Sequence, residues 1–447
     1  MKLYCIGNSH VNIFRGLDSV WGKDSISIFK THYLGPTIAY NFYEHHYNQV
    51  LEYLNTSNID KKNDFIMLIV GEVDCRWHLP KQAEIQNKNI NELVEECINR
   101  FFRCYLDIIN KGYQVIVWAG HPSTADGHND NPNCPVYGSC EHRNKISLYW
   151  NDYLKKLSNN NNIPFLSIIN YLIDDNNLTK MEYFLDYCHL KSSNVIPFVY
   201  KELNKILELK NIDFTFGVIT DGNNDNYLNI IIESIEKNNI PNYEIIIVGN
   251  SNIANRNNVK IYKFDESIKN NWITRKKNII IENAIYENLV ILHDYICFDN
   301  NWYNGFKLFA ENYDWGVNKI LNINNERFRD YTIFPPNIIH LNNDFNYKCL
   351  LPYTFENNLN INKYLYISGS YFFIKKSIAI NNKLNENLIW GQGEDVEYHN
   401  RLHNNGYIVK CNDLSLVKFL KLKHQCDWEK EIDEQQIQFL NNLSKHN

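Results

Sequence analysis

The sequence predicts an α/β protein built as two domains, each with its own parallel sheet. Three observations lead there. Apolar strand-like runs alternate with amphipathic stretches through the first half of the chain, the pattern of a parallel sheet covered by helices on both faces. The alternation lapses near Leu209–Asp213 and starts afresh at Phe214. The chain has 447 residues, too many for one ordinary core, and two domains of about 200 residues each is the natural division. The expected domains are residues 1–210 and 213–447, with the boundary near residue 211.

In the first half the expected strands are Lys2–Ile6, Phe65–Val70, Val115–Ala119 and Phe165–Ser167. Helices are expected over Ile90–Lys111, where apolar residues recur at helical spacing, and over Arg143–Leu157. In the second half, strands are expected over Phe214–Thr220, Tyr243–Val248, Val259–Phe264 and the wholly apolar Leu289–Leu292. Helices are expected at Tyr227–Asn238 and around Arg275–Ala284. The two halves carry different motifs and no internal repeat.

Composition narrows the function classes. Apolar residues make up 44% of the chain, enough for two packed interiors. The formal charge is −6 and the pI about 6.2, so no basic surplus exists to bind nucleic acid non-specifically. The first residues, MKLYCIGNSH, read as a strand entering a turn and lack the basic start and apolar core of a signal peptide. No apolar run is long enough to span a bilayer. A soluble, cytoplasmic protein is expected. The eleven cysteines are scattered with no Cys-x-x-Cys pair, which argues for reduced thiols and against structural zinc.

The N-terminal motifs come in a particular order. Gly7-Asn8-Ser9-His10 follows the first strand, and a serine there sits where open α/β sheets place ligands. Gly35-Pro36 and Gly71-Glu72-Val73-Asp74-Cys75-Arg76 follow, and Asp186-Tyr187-Cys188-His189 closes the series. An Asp three residues before a His can orient the imidazole that activates a serine. In this order the four pieces resemble the SGNH/GDSL hydrolase superfamily over residues 1–210. The resemblance implies a flavodoxin-like three-layer fold, with Ser9 as nucleophile, His189 as general base, Asp186 as its orienter and Gly35 as an oxyanion-hole N–H. The sequence departs from the family at Val73, where an oxyanion-donating Asn is usual. Loss of one such donor costs about 100-fold or more in rate. Asp74, Arg76 and His78 are candidates for another role there, such as holding an anion. Transfer or hydrolysis of a sugar O-acetyl group is the expected chemistry.

Four features converge in the second half. Thr220-Asp221-Gly222 and Gly249-Asn250-Ser251 end two neighbouring strands, forming a crevice suited to a nucleotide. Thr274-Arg275-Lys276-Lys277-Asn278 opens a helix, where cations can hold a diphosphate. His293-Asp294-Tyr295 leaves the apolar strand, placing a carboxylate for a divalent metal. Trp390-Gly391-Gln392-Gly393-Glu394-Asp395 precedes a helical stretch, Val396–Leu402. Together they resemble the GT-A glycosyltransferases, family 2-like, with a Rossmann-like fold over about residues 213–425. The tryptophan-glycine string is similar to that of galactosyltransferases and polypeptide GalNAc-transferases.

The resemblance implies an inverting transfer from a nucleotide-sugar donor to a glycan or glycoconjugate acceptor. Asp395 is expected as the base and Glu394 as an acceptor contact. Thr220, Asp221, Asn250, Arg275, Lys277 and Asn278 are expected on the donor side, and Trp390, Gly393 and Gly369, before a strand at Tyr371–Ile374, on the acceptor side. Asp294 and His424 are expected to hold Mn or Mg. The departure is the incomplete Asp-x-Asp motif, in which a single carboxylate stands in His293-Asp294-Tyr295. The metal could be completed by Asp299 or His293, or replaced by Arg275 and Lys277. The leading expectation is a transferase fused to an SGNH-type esterase. A transferase with a non-catalytic carbohydrate-binding module and a degenerate scaffold are the alternatives.

Overall fold

The computed structural model describes the chain apart from residues 129–133, 255, 310–312, 347, 425–428 and 446–447. It divides into two compact units, Met1–Glu208 and Leu209–Asn447, each mixing helices and strands.

In the first unit, β1 (Leu3–Gly7), β2 (Phe29–Tyr33), β3 (Phe65–Ile69) and β4 (Gln114–Val115) form a sheet in the order β2-β1-β3-β4. Every pairing in it is parallel. β5 (Val117–Trp118) and β6 (Phe165–Leu166) form a separate parallel pair. The strand expected over Val115–Ala119 is therefore broken. The Ile116 N–H still donates to Ile66 O on β3, whereas the Val117 N–H turns to Pro164 O beside β6. A change of partner in mid-run carries no hydropathy signal.

All five residues of β1 are buried, as expected of a parallel strand covered on both faces. Tyr4, Ile6, Ile66 and Leu68 share one core with Phe101, Tyr105, Trp150 and Leu154. Those four come from the helices Ile90–Asn110 and Cys140–Asn160. The first of these helices is amphipathic, burying Leu93, Val94, Cys97, Ile98, Phe101 and Tyr105 along one stripe. Asn89 caps its start, its side chain accepting from the Asn91 N–H at 2.9 Å.

The second unit is built on an eight-stranded sheet. Its strands are β7 (Phe214–Ile219), β8 (Tyr243–Val248), β9 (Val259–Tyr262), β10 (Asn288–His293), β11 (Ile296–Phe298), β12 (Trp315–Leu321), β15 (Tyr371–Lys375) and β16 (Val409–Phe419). Two short strands, β13 (Thr332–Ile333) and β14 (Leu365–Tyr366), pair antiparallel outside it. The sheet order is β11-β16-β12-β15-β10-β7-β8-β9. The block β10-β7-β8-β9 is parallel throughout, a Rossmann-like half. β15 then pairs antiparallel with both β10 and β12. Leu289–Leu292 at the centre are fully buried, which is why this run is apolar from end to end. The carboxyl ends of β7, β8 and β10 open on one edge, where such sheets receive ligands.

Among the described residues, no helix is long and apolar enough to cross a membrane, and no disulfide joins the described cysteines.

Candidate active sites

In the first unit, Ser9 begins a short 3-10 helix, Ser9–Arg15, directly after β1. Gly7 lets the chain leave the sheet, because a Cβ there would stand 2.1 Å from Ile69 O on β3. Asn8 caps the helix by accepting from the His10 N–H at 3.1 Å, so Ser9 is not the cap. Its hydroxyl donates instead to His189 Nε2 at 2.8 Å. His189 Nδ1–H donates to Asp186 Oδ2 at 2.8 Å, while Asp186 Oδ1 accepts from the N–H groups of Cys188 and His189, both at 2.8 Å. Burial alone would raise the Asp186 carboxyl. These donors more than offset that and bring it to about 2, so Asp186 stays charged beside the imidazole.

The loop carrying Gly35 is fastened to the same place. Leu34 N–H donates to Gly7 O at 2.8 Å and Asn8 Nδ2 donates to Thr37 O at 3.2 Å. Gly35 has φ +91°, a left-handed conformation that glycine adopts without strain. Asp74 is fully buried and accepts from the Ala39 and Tyr40 N–H groups at 2.7 and 3.2 Å. Its carboxylate pins this loop and does not face a ligand. Arg76 is likewise committed, donating to Glu72 and to Pro135 O, both at 2.7 Å, and His78 packs against Tyr40. The anion-holding role considered for these three is not what their contacts serve. Val73 opens the turn Asp74–His78 and offers no side-chain donor.

Beneath the serine runs a buried chain of polar groups. His121 Nδ1 lies 3.0 Å from Pro122 O, and its Nε2 lies 3.0 Å from His10 Nδ1. His10 Nε2 meets Glu72 Oε2 at 3.0 Å, and Glu72 Oε1 takes the Arg76 bond. Burial pushes the Glu72 carboxyl up, but Arg76, His10 and His121 outweigh it and hold it far below the usual range. Burial depresses His121 to about 3. Sequence reasoning missed this chain. Glu72 beside Val73 and His10 beside Ser9 were its visible ends. The atoms of Asp186, Cys188 and His189 also lie close enough to share a metal ion, but Asp186 and His189 are already bonded to each other, and His189 to Ser9.

In the second unit, a cleft of about 310 Å³ brings together His293, Tyr295, Arg329, Tyr366, Gly369, Trp390, Gly393, Glu394, Asp395 and Lys423. Gly393 precedes the helix Glu394–Asn404 with φ +72°. Asp395 Oδ2 accepts from the Tyr366 hydroxyl at 2.9 Å and the Gly369 N–H at 3.0 Å. These bonds cross from another segment, which a helix-start acid stabilising the dipole would not need. Gly369 sits close to this group: a Cβ there would lie 3.1 Å from Asp395 Cβ and 3.2 Å from Lys277 Nζ, a tight fit. Glu394 is only 6% exposed. Burial, then the neighbouring Asp395, raises its carboxyl above the ordinary range. Trp390 lines the same cleft yet is 63% exposed, an aromatic face free to stack on a ligand. Tyr366 had no sequence signal; it is two residues before the Ser368-Gly369-Ser370 turn.

The donor-side candidates divide. Thr220 and Asp294 meet, the Thr220 hydroxyl donating to Asp294 Oδ2 at 2.6 Å. The Gly222 backbone lies against Asn250 O, so the turns after β7 and β8 adjoin, with Asp221 and Asn250 exposed beside them. The three residues from the helix Ile273–Asn283 do not join this group. Arg275 is held by Glu282 and Glu386 at 3.1 and 3.0 Å. Asn278 latches Leu384, accepting from its N–H and donating to its O, both at 2.9 Å. Lys277 is buried and donates to Gly369 O at 2.7 Å, beneath the acidic pair. His424 is exposed.

The metal set is incomplete among the described residues. Asp294 Oδ2 already accepts from Thr220 and, at 3.2 Å, from Asn224 Nδ2. Two positions on, Ile296 is apolar and fully buried. Among the described residues no third carboxylate, His or Cys completes a group around Asp294.

No family model matches the chain, and no curated protein does. Solved structures with partial likeness include residues 1–349 of TarS from S. aureus, at 13% identity, covering 46% of this chain and 60% of that one, with a TM-score of 0.33. GalNAc-T7 with UDP, GalNAc and Mn2+ matches at 10% identity over 49% and 45%, with a TM-score of 0.32. TarS 1–349 in complex with UDP matches at 12% over 52% and 64%, with a TM-score of 0.30. The chain thus spans less than two thirds of each of these proteins.

Proposed function

We propose that residues 213–447 transfer a sugar from a nucleotide-sugar donor to a hydroxyl of a glycan or glycoconjugate, with inversion. The observation that carries this reading is the shared cleft at the sheet edge. It holds two adjacent carboxylates, Glu394 and Asp395, an exposed tryptophan and the carboxyl end of β10. An inverting transfer needs a carboxylate to take the acceptor's proton as its oxygen attacks the anomeric carbon and the nucleoside diphosphate leaves. Asp395 suits that role, with Tyr366 and the Gly369 N–H fixing one of its oxygens. Glu394, beside it, binds the acceptor, and Trp390 stacks on a sugar face. Thr220, Asp221 and Asn250 border the nucleotide. Incubation with a panel of UDP-, GDP- and dTDP-sugars tests the reading, followed by release of the nucleoside diphosphate. No release from any member of the panel, with or without added glycan acceptors, contradicts it.

A second activity is favoured by the 2.8 Å contacts linking Ser9, His189 and Asp186. We infer that the first unit is an SGNH-type acyl esterase or transferase. Ser9 attacks the ester carbon, His189 takes its proton and later delivers it to the leaving alcohol, and Asp186 stabilises the imidazolium. Gly35 and the Ser9 backbone would face the oxyanion without the usual Asn. A sugar O-acetyl group is the substrate class. Hydrolysis of a chromogenic acetyl ester separates this reading from a carbohydrate-binding module.

A further inference from the structure

We propose that the diphosphate of the donor is held by the ammonium groups of Lys421 and Lys423, with no divalent metal in the site. The proposal rests on the transferase reading and concerns the same cleft.

The argument is an elimination among cations. Lys421 and Lys423 follow β16, and their Nζ atoms lie 4.2 and 4.3 Å from the centroid of the Tyr295 ring. Tyr295 is the residue after Asp294, at the carboxyl end of β10. Among the described residues, neither lysine has a carboxylate within ion-pair distance. Every other cation nearby is committed. Arg329 pairs with the buried Glu429. Lys276 bonds Thr220 O and Glu266. Lys277 bonds Gly369 O, and Arg275 bonds two glutamates. Two ammonium charges remain, matching about two negative charges on the diphosphate of a nucleotide sugar, and lysine binds phosphate as a point charge.

A second observation points to a missing ligand. His293 Nε2 is buried, lacks a hydrogen-bond partner and belongs to a side chain lining the cleft with Lys423. Lys421 and Lys423 both lie against the neighbouring Tyr295 ring, and such crowding of like charge is costly unless an anion enters. Asp294, the carboxylate that a metal would need, already has its Oδ2 taken by Thr220 and Asn224.

The experiment measures binding of UDP, GDP and dTDP to the full chain, by calorimetry, in EDTA and in manganese. At least one nucleotide should bind in EDTA within about threefold of its affinity in manganese. The double substitution Lys421→Met and Lys423→Met should weaken it by about 30-fold or more, since each charge-assisted contact is worth about tenfold. Lys421→Arg with Lys423→Arg should restore most of the affinity. Added salt should weaken the wild type more than the methionine variant. Binding that requires manganese, or that survives the double methionine substitution, overturns the proposal while leaving the transferase reading intact. Release of sugar without detectable binding of any diphosphate in EDTA overturns it as well. Failure of all three nucleotides to bind in either condition removes the transferase reading, and the proposal with it.

Discussion

The Ser9 hydroxyl donates to His189 Nε2 at 2.8 Å across 180 positions of sequence, and Asp186 holds the far side of the same ring. A lone serine at a strand end is an unreactive alcohol; in the proposed esterase mechanism this contact supplies its base. Ser9→Ala should abolish hydrolysis of a chromogenic acetyl ester, by about 1,000-fold or more, without changing sugar transfer. Ester hydrolysis unchanged in the variant would remove Ser9 from the mechanism.

Glu394 sits beside Asp395 in the cleft but makes none of the latter's bonds to Tyr366 and Gly369. Its proposed work is one hydrogen bond to the acceptor. Glu394→Gln should therefore raise the acceptor KM by about threefold to tenfold, with kcat within about threefold. A loss confined to kcat would make Glu394 the base.

The buried histidine chain has a pH signature. Burial keeps His121 neutral in the folded protein down to about pH 3, whereas an unfolded histidine protonates near 6.5. The unfolded chain therefore takes up a proton that the folded chain refuses, and stability falls as pH drops through that window. Asp186 acts lower. Its folded pKa of about 2 lies below the unfolded value near 3.9, so its contribution is present above about pH 4 and disappears below. Denaturant melts at pH 7 and pH 4.5 should differ by roughly 1–3 kcal/mol more in wild type than in His121→Gln. Equal pH slopes in the two proteins would mean that His121 does not carry the effect.

The two units have separate apolar cores, one drawn from residues between Tyr4 and Ile163, the other between Ile212 and Leu440. Residues 1–210 and 212–447 expressed separately should each be soluble and melt cooperatively. If neither does, the boundary is misplaced.

The legible parts of the fold were those where burial writes itself into composition. Leu289–Leu292 and Ile245–Val248 lie inside a covered parallel block, so their runs are apolar without interruption. β16 went unnoticed because its run, Val409–Phe419, interrupts its buried residues with Lys410, Asn412, Asp413 and Lys418. The site was legible where a side chain acts near its own motif, as with Ser9, Asp186 and His189. It was illegible where a distant segment decides the outcome. Asp74 sits in a motif but serves the backbone of Ala39 and Tyr40. Arg275 looks like a phosphate ligand until Glu282 and Glu386 claim it. Lys421 and Lys423 precede His424 in sequence, and only the fold brings them over Tyr295.

The account stands most heavily on Asp395 as the base of an inverting sugar transfer. Asn is nearly isosteric, so in Asp395→Asn the helix start and the bond from Tyr366 should survive, while the amide can take no proton from the acceptor. The decisive measurement is the turnover of this variant, with its fold verified, on the nucleotide sugar that the wild type uses. The account predicts a fall in kcat of about 100-fold or more with donor affinity nearly unchanged. Transfer at the wild-type rate would contradict it and would point to a retaining mechanism that needs no such base.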